Sequence, residues 1–154
     1  MDSYRLITQM QAEYARCIDN DRLEDWPRFF EPDCLYRITT ADNYQQGNEA
    51  SIIYADSLGM LQDRVSALRE ANIYEQHRYR HILGAPVILS EDGNEINSET
   101  PFLVVRIMRD GTTDLFASGV YLDRCRLTGG RASLVRRIVV CDSSRIDTLL
   151  ALPL

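Results

Sequence analysis

The chain has 154 residues and a formal net charge of −6, which fits one domain (1–154) of ordinary size and excludes the basic footprint of a nucleic-acid binder. Hydrophobic residues make up 45% and charged residues 26%, a globular balance, and no run approaches the roughly 18 uncharged apolar residues of a membrane span. The opening Met1-Asp2-Ser3-Tyr4-Arg5 has no apolar signal-peptide core, so a cytoplasmic location is expected.

Residues 3–20 predict an amphipathic helix, because Ile7, Met10, Tyr14, Cys17 and Ile18 recur at spacings of three and four. Asp2 or Ser3 can cap it, and Asp19-Asn20-Asp21 ends it. A helical turn follows at Leu23–Phe30, with Trp26, Phe29 and Phe30 expected inside and Pro27 in its first turn. Glu31-Pro32-Asp33 should break the chain, since proline disfavours helix at the residue before it. Cys34–Thr39 alternates and predicts the first strand. A short second strand is expected at Tyr44–Gln46 or at Ile52–Tyr54, then a helix over Gly59–Ala71 and a linker over 72–78. Strands are expected at about 79–90, 96–109, 112–126 and 131–141, separated by Asp92-Gly93-Asn94, Asp110-Gly111 and Gly129-Gly130. Pro86 and Pro101 lack a ladder donor and should mark bulges or edges. The apolar tail 143–154 should dock onto this domain or onto a partner. Helices first and a meander afterwards predict an α+β domain.

The chemistry-bearing residues are few. Cys17, Cys34, Cys125 and Cys141 have no CxxC spacing and read as free buried thiols. His77 and His81 are the only histidines; on one strand they would stand roughly 13 Å apart, too far to share a metal. A Rieske cluster needs paired Cys and His, and the chain has no C-x-H. GxGxxG, GxxxxGK[ST] and GxSxG are absent as well. One acid–base set remains: Tyr14, Asp19, Tyr36 and His81 could gather around a small ligand, with His81 beside a carboxylate as general base. The opposing reading puts Tyr14 in the helix stripe, Asp19 at the helix end and His81 in the core. All seventeen basic residues are Arg. Arg78/Arg80 and Arg124/Arg126 are spaced by two and so share a strand face. With Arg136/Arg137, they form either a solvated face or a contact with an acidic partner.

Several segments in order resemble a known family: Tyr79-Arg80-His81-Ile82-Leu83, Pro101–Arg109, Leu115–Asp123, Leu134–Asp142, the opening Trp26, Phe29, Phe30, Pro32-Asp33 and Tyr36-Arg37-Ile38, and Gly59–Val65. Together they resemble the small (β) subunit of aromatic-ring-hydroxylating Rieske oxygenases. The ending 142–154 is most similar to salicylate 5-hydroxylase small subunits, which would imply conversion of salicylate to gentisate. The resemblance implies a cystatin-like, nuclear-transport-factor-like cone, with N-terminal helices packed in a strongly curved, mostly antiparallel sheet. It implies homotrimeric contacts within an α3β3 assembly. The α subunit would carry the 2Fe–2S cluster and mononuclear Fe(II), served by a ferredoxin and an NAD(P)H-dependent reductase. This chain would have no catalytic, cofactor or metal residue and would trimerise and position the α subunits. Expected contact residues are Arg80, His81, Arg124, Arg137, Leu149, Leu152 and Leu154. The rival reading is a stand-alone dehydratase or isomerase of the same fold, with His81 as acid and base.

Overall fold

The computed structural model describes residues 2–71, 77–144 and 153–154. Helix α1 spans Ser3–Asp19, and the Asp2 carboxylate accepts from the Arg5 backbone N–H at 3.1 Å to cap it. Its stripe of Ile7, Met10, Tyr14, Cys17 and Ile18 is buried, as the spacing predicts, and Leu6 joins it. A 3-10 helix (Leu23–Phe29) sets Trp26 into the core against Phe30 and Tyr36, with ring centroids 5.5 and 5.2 Å apart. Strand β1 (Phe30–Thr40) starts earlier than expected, because Glu31-Pro32-Asp33 is absorbed as an irregularity within the strand rather than ending it. Helix α2 (Ala41–Gln45) takes the first of the two sites considered for a second strand, and β2 (Ile53–Ala55) lies at the other. Helix α3 (Leu58–Ala71) follows, and part of the expected linker, residues 72–76, lies outside the described residues.

The remaining strands are β3 (His77–Leu83), β4 (Val87–Asp92), β5 (Glu95–Met108), β6 (Thr113–Thr128) and β7 (Arg131–Cys141). Among the described residues they form one sheet of order β2-β1-β7-β6-β5-β3, with β4 also on β5. Only the β1–β7 pairing is parallel; the others are antiparallel. The sheet is open, with β2 at one end and β3 at the other. Helix α1 packs on β3, β6 and β7, and α3 packs on β1 and β2, so both helices contribute to one buried core.

The expected single strand 79–90 is two strands, and the reason is local. The Gly84 N–H donates to the Pro101 carbonyl at 2.9 Å, and a Cβ on Gly84 would meet Pro101 Cγ at 2.5 Å. In a strand, the N–H and C=O of one residue point the same way, so the donor Pro101 lacks would have faced this break. There β5 changes partner, from β4 through Glu99 to β3 from Phe102. Each proline thus sits where a ladder bond is not required. A second close approach fixes the β6–β7 pair: a Cβ on Gly119 would lie 1.9 Å from the Val140 carbonyl oxygen. Only glycine lets the backbones meet at that register.

Candidate functional site: a polar network inside the core

Strand parity brings Tyr121, Asp123 and Cys125 of β6 to the helix-covered face, where all three are buried. The register sets Asp123 directly opposite Arg137 of β7. Arg137 Nε donates to Asp123 Oδ1 and Nη2 to Oδ2, both at 2.8 Å. Gln11, one turn before Tyr14 on α1, accepts from Arg137 Nη2 and donates through Nε2 to Asp123 Oδ2 at 2.8 Å. The Arg137 guanidinium lies between two rings, 4.2 Å from the centroid of Tyr14 and 3.9 Å from that of Tyr121. Both charged side chains are fully excluded from solvent. Burial works to lower the Arg137 pKa, but the adjacent Asp123 carboxylate more than reverses it, so the guanidinium stays charged.

Tyr14 and Tyr36 meet at the other end of the same chamber. Both hydroxyls donate to the Leu154 carbonyl oxygen, at 2.7 and 3.1 Å, and the Tyr36 oxygen accepts from the Leu154 N–H at 3.1 Å. Leu154 is wholly buried. Burial pushes the phenols of Tyr14, Tyr36 and Tyr121 above their ordinary range, and Tyr36 is raised further by its two neighbours.

A separate pair forms where α1 ends. The Asp19 carboxylate accepts from the His81 backbone N–H at 2.9 Å and lies 2.7 Å from His81 Nδ1. The imidazole is fully buried and the carboxylate nearly so. A cleft of about 370 Å3 adjoins this pair between α1 and β3, walled by Thr8, Ala12, Arg80, Leu83 and Pro86. The four acid–base candidates are thus divided. Asp19 and His81 are in contact, while Tyr14 and Tyr36 are joined through Leu154.

The expected contact residues separate by parity. Arg80 and Arg124 keep 64% and 45% of their side chains exposed. Arg137 and His81 fall on the helix-covered face of their strands and are buried, and Leu154 is buried as well. Leu149 and Leu152 lie outside the described residues. Arg124 already binds Glu95, and Arg126 joins Glu95 at 3.1 Å and Glu31 at 3.2 Å. The sheet's outer face carries something the charge pattern did not indicate. Ile82 pairs with Leu103 and Leu115 with Val105, and Ile82 and Leu115 are 55% and 65% exposed. The signal was available: Phe102-Leu103-Val104-Val105 is apolar at both parities, where a sheet wet on one face alternates.

Among the described residues, no three His, Cys, Asp or Glu side chains are grouped to hold a metal, and no helix is long and apolar enough to cross a membrane. The described residues do not fit iron: His81 is committed to Asp19, and the four buried cysteines are free thiols. Burial pushes the Cys34 thiol up to about 11 and that of Cys141 to about 12, leaving them weak ligands and nucleophiles at neutral pH.

An α+β domain whose buried Arg137–Asp123 pair is closed by its own Gln11, with apolar side chains on the outer face of its sheet, has the character of an assembly component. The family profile described as "Ring hydroxylating beta subunit" matches residues 13–148. The chain belongs to that family. It is 55% identical over 148 residues to the terminal oxygenase component subunit beta 1 of terephthalate 1,2-dioxygenase from a Comamonas species, covering 96% of each chain. It is 36% identical over 154 residues to the anthranilate 1,2-dioxygenase small subunit of Burkholderia cepacia, covering 100% of this chain and 96% of that one. A crystal structure described as the β subunit of an aromatic-ring-hydroxylating dioxygenase from Novosphingobium aromaticivorans superposes with a TM-score of 0.91 at 40% identity, over 99% of this chain and 97% of that one.

Proposed function

We propose that this chain is a non-catalytic structural subunit of a multicomponent hydroxylase acting on an aromatic carboxylic acid. It trimerises, seats catalytic α subunits in an α3β3 complex, and so fixes the spacing across which electrons pass. The α subunit holds the Rieske 2Fe–2S cluster and the mononuclear iron, supplied from NAD(P)H through a reductase and a ferredoxin in the cytoplasm. The fold is read as the cystatin-like cone. What supports this most directly is the filled interior: the Tyr14 and Tyr36 hydroxyls that would grip a reactant are bonded to Leu154 of the same chain. Salicylate, suggested by the ending of the sequence, is the acid we propose. The relatives named for terephthalate and anthranilate support the wider class of ring-bearing acids.

The contact surface is proposed to be the outer sheet face, with Ile82, Leu103, Val105 and Leu115 at its centre and Arg80 and Arg124 at its rim. Rim charges there would set partner choice and association rate more than affinity. Reconstitution tests the reading: an α subunit of the same system gains hydroxylation when this chain is added, and the chain alone turns nothing over. The 2.7 Å contact between Asp19 and His81 is the one observation favouring a dehydratase or isomerase. Turnover by the lone chain that is lost in His81→Ala would establish that reading instead.

A further inference from the structure

The middle of the outer sheet face carries one acid and one base that the chain itself leaves unmatched. Glu95, Arg124, Arg126 and Glu31 on that face are joined to one another. Glu99 and Arg136 lie on the same face, because Glu99 alternates with the buried Ser98 and Thr100, and Arg136 precedes the buried Arg137. Among the described residues no ion pair or hydrogen bond reaches either side chain. Glu99 sits in an apolar row: the register sets it between Val87 of β4 and Leu122 of β6, and Val87 is 54% exposed. Arg136 has the opposite neighbourhood. It stands directly across from Arg124 of β6, and like charges in that position repel. Leu122 pairs with Ile138 of β7, so Glu99 and Arg136 are two strands and two residues apart, roughly 12 Å between Cα atoms.

We propose that this band of the face is the contact between copies of this chain, with Glu99 of one copy received by Arg136 of the next. The pairing rests on the trimer proposed above. An occupant covering Val87 and Leu122 strips water from the Glu99 carboxylate, and a buried charge without a partner is costly, so the occupant has to bring a cation. It also has to bring an acid, to offset the two guanidinium groups that Arg124 and Arg136 set side by side. A second copy brings both. In a ring of three, each copy offers one patch to one neighbour and a different patch to the other. Glu99 on β5 and Arg136 on β7 are placed on separate parts of the sheet, as a ring requires. A guanidinium can meet a carboxylate through two parallel hydrogen bonds, which fixes the register of the contact. The cluster of Ile82, Leu103, Val105 and Leu115 lies on β3, β5 and β6 and is left for the α subunit.

The test is sedimentation of the full chain carrying Glu99→Arg, Arg136→Glu, both changes or neither. The native chain should sediment as a trimer. Each single variant sets like charges against each other at every contact and should raise the concentration at which the trimer dissociates at least roughly tenfold, a difference of about 1.4 kcal/mol. The double variant restores opposite charges at every contact and should recover the trimer. An equimolar mixture of the two single variants should not, because a ring of three must place two copies of one variant side by side. Recovery of that mixture as a dimer would mark a two-fold contact instead and overturn the ring pairing. Glu99 is half-buried and Arg136 exposed, so the variants should keep native circular dichroism. Should a charge reversal unfold the chain, Glu99→Gln and Arg136→Gln replace it, each expected to weaken the trimer by a smaller factor. A native chain that stays monomeric overturns the trimer and the pairing with it. A native trimer that the folded variants leave intact, or that the double variant fails to recover, overturns the pairing alone and leaves the trimer standing.

Discussion

The inside and the outside of the sheet use the same residue types in opposite ways. On the inner face, Arg137 is locked to Asp123 and Gln11 and stacked between Tyr14 and Tyr121. On the outer face, Arg80 is largely exposed, and Ile82 and Leu115 have most of their surface in water. A buried charge pair contributes little net stability but costs a great deal to break, so it fixes one arrangement of the strands that carry it. An exposed apolar stripe contributes nothing to the isolated fold and acquires a function only when covered. The interior therefore holds the shape, and the exterior offers it to a partner.

The strongest way to break this contrast is to unpair the interior. Asp123→Ala leaves a fully buried guanidinium without its carboxylate and should cost about 3–5 kcal/mol in urea unfolding. The double replacement Asp123→Leu with Arg137→Met should cost less than the single one; if it costs more, the pair is not acting as a unit. Leu154→Ala comes next. It removes a wholly buried side chain and should cost about 2–5 kcal/mol, read as a fall in melting temperature. Asp19→Ala removes the acceptor of the His81 backbone N–H and its ring partner, and a loss of about 1–3 kcal/mol is expected from the orphaned donors.

A pH series sharpens the same point. Burial favours the neutral Cys34 thiol, raising its pKa to about 11. A raised pKa adds stability that is fully present below the unfolded thiol's range and is lost as pH rises through the folded value. Stability attributable to Cys34 should therefore hold through neutral pH and decline between about pH 9 and 11, with the buried tyrosines extending the decline upward. Thiol labelling should follow it, slow at neutral pH and rapid once the chain unfolds. The smallest stability effect belongs outside. Leu115→Asp should change unfolding by no more than about 0.5 kcal/mol, yet it should abolish association with the α subunit. Unimpaired association would remove the outer face from the interface.

Much of the fold could be read without coordinates. The α1 stripe and β7 (Arg131–Cys141) follow from helical spacing and from the Gly129-Gly130 turn. The break at Gly84–Pro86 could not be read, because it depends on Pro101, a residue from another strand. The site was legible as a set of residues but not as a geometry. Asp19 and His81 do meet, yet nothing local indicates that Leu154 separates Tyr14 and Tyr36 from any outside ligand. Arg137 shows the limit most clearly. Arg136 and Arg137 are adjacent, so one had to face inward, but which one depends on the register that sets Arg137 opposite Asp123.

The most direct measurement is hydroxylation by a purified α subunit of the same system, assayed alone, with this chain, and with the Leu115→Asp variant. The native chain is expected to form a stable complex and to raise the α subunit's turnover, the variant to do neither, and the chain by itself to be inert. Full α activity without this chain, or turnover by this chain alone that disappears in His81→Ala, would contradict the assembly role.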